Sequence, residues 1–211
     1  MTFHPLIQVY GNADKATFPL ILCIGREPNG NEDDYDDAVG RYDLRWDEIK
    51  NIGDRGVWGT AFWLVAQTQK MPMQELKRLS ERYHSSMLAF TDISKPIESG
   101  LSNRAKITRR ESIPLEWYRS HIQGMFSFGV IGRVELFLLH GLSMRTEFEE
   151  PYRILVEWIN SIRQENPKVS CIDLPFFSWR NYQRIKESAT PEVIAKIQSI
   201  YSEWSKAVLS K

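Results

Sequence analysis

The sequence lacks a long apolar run, an excess of charge of either sign and a set of cysteines. Its longest apolar runs, such as residues 18–24, are far shorter than the ~20 residues that span a bilayer, and no basic stretch precedes an apolar core at the N-terminus. The 27 basic residues balance the 27 acidic ones, so attraction for a polyanion must come from a local patch. We therefore expect a cytoplasmic protein with no membrane partner.

The two cysteines, Cys23 and Cys171, each lie in an apolar segment without a CxxC partner. This setting is typical of reduced core residues rather than of a disulfide or a metal site. The chain has 211 residues and contains no internal repeat, low-complexity tract or Pro/Ser-rich linker. We expect one domain, residues 1–211, that needs neither metal nor cofactor and is a monomer.

Four short and nearly continuous apolar runs predict strands that are covered on both faces. They are residues 20–24, 87–91, 134–139 and 169–174. The segments between them are long enough for helices, which indicates βαβ crossovers and a four-stranded parallel sheet in an α/β fold.

Helical spacing is clearest near the C-terminus, where Thr190 and Pro191 can begin a helix whose apolar residues then recur up to Val208. Residues 60–70 and 73–83 predict two further helices, and residues 155–162 carry another amphipathic stripe. The segments 29–37 and 96–114 read as irregular loops.

The residues after each predicted strand are the informative ones, because ligands of such sheets bind at the carboxyl ends of the strands. Residues 25–30 read GREPNG, which is neither a dinucleotide-binding GxGxxG nor a P-loop. An enzyme that uses a nicotinamide cofactor or a nucleoside triphosphate is therefore a less favoured interpretation of this sequence. The turn holds one carboxylate, Glu27, between Gly25 and Pro28, where it can orient water or stabilise a cationic transition state.

The order of these elements resembles the uracil-DNA glycosylase superfamily, and most closely its mismatch-specific uracil/thymine branch. Residues 25–30 correspond to the first motif of that family, GINPG. Phe62 and Trp63 begin the next helix, and residues 90–96 (FTDISKP) correspond to the segment after the second strand. The resemblance covers most of the chain in element order but only about twenty residues in detail.

The resemblance implies a three-layer α/β/α fold with a short four-stranded parallel sheet and a pocket for a base flipped out of DNA. It assigns Glu27 to the position that orients the attacking water. We expect His140 as a second catalytic residue. The residues expected to bind the substrate are Gly25, Arg26, Pro28, Asn29, Tyr35, Asp92 and Ser178.

The sequence also departs from the family. The last family motif, HPS or NPS, corresponds to residues 174–180, which keep the proline but lack the His or Asn that stabilises the departing base. Five acids among residues 32–37 would repel phosphates. The expected nucleic-acid contacts are basic or aromatic and are Lys95, Arg104, Lys106, Arg109, Arg110, Phe176, Phe177, Trp179 and Arg180.

Several residues keep a second interpretation. Glu27 is either catalytic or a turn residue paired with an arginine, and His140 is either a donor to substrate or a structural histidine. Asp92 and Lys95 line a base pocket or form a solvated ion pair. Asp173 faces the pocket or pairs with Arg180.

Two smaller questions also stay open. The acidic residues 32–37 are a solvated run or a weak Ca²⁺ or Mg²⁺ site. The aromatic side chains that can stack on a planar ligand are Tyr35, Tyr42 and Phe62.

Three functions follow as hypotheses. The first is a DNA glycosylase-like hydrolase of N-glycosidic bonds that acts on a deaminated or mismatched base. The second is a divergent superfamily member that binds a nucleobase, nucleotide or nucleic acid without excising a base. The third is a hydrolase of a nucleoside-like small molecule, which suits the neutral charge and the acidic loop better than duplex DNA. None of the three implies a metal or an organic cofactor.

Overall fold

The four apolar runs form parallel strands of one sheet. The computed structural model describes residues 7–11, 17–26, 57–94, 101–127, 129–175 and 177–209. The strands of the described residues are β1 (Gln8–Gly11), β2 (Leu20–Gly25), β3 (Ser85–Asp92), β4 (Val134–His140) and β5 (Ser170–Leu174). All four predicted strands are confirmed to within a few residues at each end.

The sheet has the order β1-β3-β2-β4-β5 within the described part of the chain. β2 pairs in parallel with β3 and with β4, and β4 pairs in parallel with β5. β1 pairs with β3 in the antiparallel direction. The predicted four-stranded sheet therefore needs correction to a five-stranded mixed sheet, because a strand of only four residues gives too short an apolar pattern to be recognised.

Seven α-helices lie in the described residues. They are α1 (Val57–Thr68), α2 (Met73–Arg82), α3 (Asn103–Glu111), α4 (Leu115–Phe126), α5 (Glu149–Glu165), α6 (Tyr182–Ser188) and α7 (Pro191–Leu209). Short 3₁₀ turns cover Gly129–Arg133, Thr146–Phe148 and Trp179–Asn181. None of these helices combines the length and the apolar character needed to cross a membrane.

Helix α7 begins as the sequence predicts. The Thr190 hydroxyl accepts a hydrogen bond of 3.3 Å from the Val193 N–H, and Pro191 occupies the first turn, where no N–H is needed. The buried stripe of α7 contacts β2, β3 and β4. Trp204 in this stripe is 1% exposed, and its indole N–H donates to the Ser85 hydroxyl at 3.3 Å. The helix thereby covers the centre of the sheet.

Helices pack on both faces of the sheet. Trp58 of α1 contacts Phe90 with ring centroids 5.2 Å apart, and Phe126 of α4 contacts Phe137 at 6.0 Å. The strand register places Phe90 on the same face as Leu138, the neighbour of Phe137, and successive side chains point to opposite faces. The α/β architecture is confirmed. Helices on both faces of one sheet are the arrangement that a three-layer fold requires.

The segment 96–114 is not the irregular loop that its polarity predicted, since α3 occupies much of it. The Ser102 hydroxyl accepts a hydrogen bond from the Ala105 N–H and caps the helix. The following residues include Arg104 and Lys106 and contain no glycine or proline, so they favour a helix without an apolar stripe.

The indole of Trp204 tests how much α7 contributes to the core. We expect Trp204→Ala to lower the free energy of unfolding by about 3–5 kcal/mol, because it leaves a cavity under the sheet and removes the hydrogen bond to Ser85. Urea unfolding followed by circular dichroism measures this. Trp158→Ala is the matched control, since this indole is 38% exposed. An equal loss of stability in both variants would contradict this account of the core.

Candidate functional site

The carboxyl ends of the four parallel strands meet at one edge, and four residues form a row there. Gly25 pairs with Asp92, and His140 pairs with Leu174 on the other side. The chain runs from β2 to β3 in one direction along the sheet and from β4 to β5 in the other. A crevice is expected where such connections diverge, which here is between the end of β2 and the end of β4.

Gly25 allows the Asp92 side chain to lie close against the backbone of β2. A Cβ atom at position 25 would overlap the Asp92 carboxylate oxygen Oδ1. Two backbone hydrogen bonds tie the segments after these strands together, from the Ile93 N–H to the Gly25 carbonyl (3.0 Å) and from the Ser94 N–H to the Arg26 carbonyl (2.9 Å). The Asp92 carboxylate is therefore fixed beside β2, the central strand of the sheet.

His140 is the unusual residue of this edge. Its side chain is completely buried, and its ring stacks on Phe177 with centroids 4.0 Å apart and planes 15° apart. Neither ring nitrogen has a hydrogen-bond partner among the residues that the structure describes. Burial lowers the pKa of His140 to about 3, and the positive charge of Arg26 acts in the same direction. The imidazole is therefore uncharged at neutral pH, with one donor and one acceptor unused.

The loop after His140 is held by a carboxylate on the neighbouring strand. Asp173 Oδ1 accepts hydrogen bonds from the N–H groups of Gly141 (2.8 Å) and Leu142 (3.2 Å), and Oδ2 accepts from Ser143 (2.7 Å). Gly141 has φ +65°, a conformation that glycine adopts without strain. Successive N–H groups of this kind form an anion-binding nest. Asp173 already fills it.

A second buried histidine lies next to the end of β3. His121 of α4 is 1% exposed, and its Nε2 donates to the Asp92 carbonyl oxygen at 2.9 Å. Burial lowers the pKa of His121 to about 4, against the smaller opposing effect of that hydrogen bond. Trp117 stacks on its ring with centroids 4.6 Å apart. His121 thereby fixes the backbone that carries the Asp92 side chain.

The structure brings together Gly25, Arg26, Asp92 and His140 from the residues predicted for the site. Glu27 directly follows Arg26. Several predicted residues lie outside the described part of the chain: Glu27, Pro28, Asn29, Tyr35, Lys95, Phe176 and the side chain of Trp179, together with Tyr42 and the acidic residues 32–37.

Two aromatic residues of the sequence analysis are packed in the interior. Phe177, predicted to contact nucleic acid, is 0% exposed and supports His140, so its ring does not reach the surface. Phe62, a stacking candidate, is also 0% exposed within α1. Ser178 is half-buried in the segment after β5, and Arg180 is exposed there.

The basic residues of α3 differ in their surroundings. Arg110 forms an ion pair with Glu147 at 3.2 Å, with the two side chains only 10% and 5% exposed, and its guanidinium lies 5.6 Å from the centre of the Phe148 ring. Arg104 and Arg109 are exposed, and Lys106 is half-buried. Arg110 thus attaches α3 to the turn before α5.

Sequence reasoning missed two residues of this edge. It left open whether Asp173 faces the pocket or pairs with Arg180. In the structure the carboxylate binds the loop after His140. It assigned no role to His121. The only sequence signals for the loop that Asp173 holds were Gly141 after β4 and Asp173 near the end of β5. Neither residue specified its hydrogen-bond partner.

Among the described residues, no group of three or more His, Cys, Asp or Glu side chains is placed to hold a metal ion. Both thiols are free, and burial raises the pKa of each, that of Cys171 to about 12. No protein-family model matches the sequence, and no curated protein matches it either. The case for a function therefore depends on the chemistry of the carboxyl edge.

The two buried histidines predict a pH-dependent stability. The folded protein keeps both imidazoles uncharged, whereas the unfolded chain protonates them near pH 6.5, so the unfolded state binds more protons below that pH. The free energy of unfolding is therefore not reduced by these histidines above pH 6.5. It decreases towards pH 4 by about 1.4 kcal/mol per pH unit for each histidine. Urea unfolding from pH 7 to 4 measures this, and His140→Leu should reduce the slope by about half. An unchanged slope would contradict the assignment.

The nest predicts a strong effect of removing one acceptor oxygen. Asp173→Asn turns an amide NH₂ towards an N–H group of the loop and should cost about 1–3 kcal/mol. Denaturant unfolding measures the loss, and faster hydrogen exchange at the Ser143 amide localises it. Glu157→Gln, which removes an exposed ion-pair partner of Arg153, is the control and should cost under about 0.5 kcal/mol. Equal stabilities of the two variants would contradict the role of Asp173 in holding this loop.

Proposed function

We propose that the protein is a glycosylase-like hydrolase that cleaves the N-glycosidic bond of a deaminated or mismatched base of DNA. The base would occupy the crevice between β2 and β4. The observation that carries this proposal is His140, a buried and uncharged histidine whose two ring nitrogens have no partner in the described part of the chain, at the carboxyl edge of the sheet. The resemblance of residues 25–30 and 90–96 to the uracil-DNA glycosylase superfamily supports the same reaction.

A buried imidazole without hydrogen bonds destabilises the folded state, so its presence favours a role in binding or chemistry. An uncharged imidazole N–H can donate a hydrogen bond to a carbonyl oxygen that becomes negative during the reaction. A histidine with a pKa near 3 is a poor proton donor at neutral pH. It therefore suits stabilisation of a departing base anion by a hydrogen bond, without transfer of the proton.

The loop after β4 favours an uncharged ligand over a phosphate. The Asp173 carboxylate occupies the N–H groups that could otherwise bind an anion. The Asp92 carboxylate lies beside Gly25, and carboxylate oxygens can accept hydrogen bonds from N–H groups of a base. A planar ligand with both N–H and carbonyl groups matches this set.

The proposed reaction needs one further carboxylate, and Glu27 is assigned to it. Glu27 orients a water molecule towards C1′ of the sugar and accepts its proton as the new C–O bond forms. The C1′–N bond breaks, and its electron pair leaves with the base. His140 then donates a hydrogen bond to the carbonyl oxygen of the base, where the negative charge develops.

A second candidate is a protein that binds a nucleobase or nucleotide without excising it. The observation that favours it is the stretch 174–180, which lacks the His or Asn of the final motif of the family. In this alternative His140 and Asp92 bind the base, and no water is activated.

Base excision on defined oligonucleotides tests the proposal. Labelled single- and double-stranded DNA carrying uracil, hypoxanthine, xanthine or a G·T mismatch is incubated with the full chain, and alkali reveals abasic sites. We expect excision of at least one base by the wild type and none by Glu27→Gln, whose stability should change by under about 1 kcal/mol. His140→Leu should lower the rate about 100-fold or more while keeping or raising stability, because it removes two buried polar atoms.

His84→Asn is the matched control, because this exposed histidine lies just before β3, at the opposite edge of the sheet. Asparagine tolerates its φ of 46°. Unchanged excision by Glu27→Gln would refute the mechanism. If the folded wild type cleaves no substrate, calorimetric titration with the free bases decides whether the binding alternative holds.

A further inference from the structure

A groove of about 370 Å³ lies between helices α4 and α5. We call it the α4–α5 groove, and its lining comprises Arg119, Gln123, Ile154, Glu157, Trp158 and Ser161. Ile154 is 3% exposed, whereas the indole of Trp158 is 38% exposed. Tryptophan is enriched among the residues that contribute most to protein–protein interfaces. The groove therefore combines a buried apolar residue, a partly exposed indole and polar walls, as contact surfaces do.

The exposed indole is held in place by the packing of the two helices. Phe126 of α4 stacks on Trp158 with ring centroids 5.6 Å apart and planes 8° apart. The same phenylalanine contacts Phe137 of β4. Trp158 is therefore anchored to the sheet through α4, so placing the indole against a partner costs little conformational entropy.

The two walls of the groove carry charges of opposite sign, Arg119 on α4 and Glu157 on α5. Both helices run away from the carboxyl edge of the sheet. Along α4, His121 contacts the end of β3 and Phe126 then contacts the middle of β4, and α5 connects the end of β4 to the start of β5. A two-fold axis along the groove therefore brings α4 of each copy opposite α5 of the other, and Arg119 opposite Glu157.

Charge disfavours a polyanion as the occupant of this groove. In the described part of the chain, the exposed charged side chains of α4 and α5 comprise three cations and five acids: Arg119, Arg153, Arg163, Glu116, Glu149, Glu150, Glu157 and Glu165. Arg153 donates to Glu150 at 2.6 Å and to Glu157 at 2.9 Å, but all three side chains are more than half exposed, so these pairs contribute little and can exchange partners. A complementary occupant presents a cation to Glu157 and an acid to Arg119, as a second copy of this chain does.

We propose that the α4–α5 groove is the contact surface of a two-fold homodimer, in which each Arg119 pairs with Glu157 of the other copy and the two Trp158 indoles are buried. The chain carries 27 basic and 27 acidic residues, so repulsion between whole molecules does not oppose association. The inference does not depend on the proposed function, because the groove shares no residue with the proposed crevice. It departs from the monomer expected in the sequence analysis, since only the packing of α4 against α5 brings these residues together.

Sedimentation equilibrium of the full chain from about 1 to 100 µM tests the dimer. We expect the wild type to reach twice the mass of one chain within this range. Arg119→Glu and Glu157→Arg should each weaken association about tenfold or more, because each variant alone places two pairs of like charges in the dimer. An equimolar mixture of the two variants should associate as well as the wild type, since every pair then joins opposite charges.

Arg184→Glu and Glu203→Arg are the matched controls, because they make the same charge changes at exposed positions of α6 and α7. Both helices pack against α1, α6 through the stacked rings of Tyr182 and Trp63. The controls should associate as the wild type does, and circular dichroism checks that every variant is folded. Three results would overturn the dimer: a wild type that stays monomeric throughout the range, groove variants that associate as the wild type does, or a mixture that associates no better than either variant alone.

Discussion

The buried and uncharged imidazole of His140 is the constraint around which the carboxyl edge of the sheet is organised. Burial of such a group without hydrogen bonds lowers the stability of the folded state. Phe177 packs flat against the ring, and Asp173 fixes the chain directly after it. Arg26 adds a positive charge that disfavours a second one on the imidazole. Packing, backbone geometry and electrostatics therefore all keep this ring in a single, neutral state.

The same arrangement determines which ligands suit the crevice. Loops at the carboxyl ends of parallel strands often bind phosphate through free N–H groups, but here a carboxylate of the protein has taken that place. Asp92 adds a second negative charge at the end of β3. Under the proposed function, an uncharged base in the crevice would meet the Asp92 carboxylate as an acceptor and the His140 imidazole as a donor. Under the proposed function, the phosphates of DNA would then be bound outside the crevice.

The sequence predicted those features that depend on local pattern. The four continuous apolar runs identified β2 to β5, and Thr190 with Pro191 identified the start of α7. Grouping the residues after each strand placed Gly25, Asp92 and His140 at one edge, since all parallel strands end on the same side. The short strand β1 and the helix α3 were missed because neither has a long apolar stripe.

The features that escaped prediction depend on contacts between distant segments. Asp173 lies about thirty positions from the N–H groups that it binds, and only the register between β4 and β5 decides that they meet. The same holds for His121, whose partner is the carbonyl oxygen of Asp92 and therefore carries no side-chain signal. Phe177 was expected to contact nucleic acid because residues 174–180 correspond to the last motif of the family, yet its ring stacks on His140 in the core.

Stability and function make opposite demands at this edge. Replacing His140 by an aliphatic residue would remove two buried polar atoms and the proton binding that destabilises the fold in acid. The bracing of Gly141 to Ser143 by Asp173 would then support an apolar core equally well. A structural role alone thus gives no reason for an imidazole at this position, whereas a ligand that donates to one nitrogen or accepts from the other supplies one. Under the proposed function, the energy that folding loses at His140 is recovered when a base fills the crevice, which links the stability of the edge to its ligand.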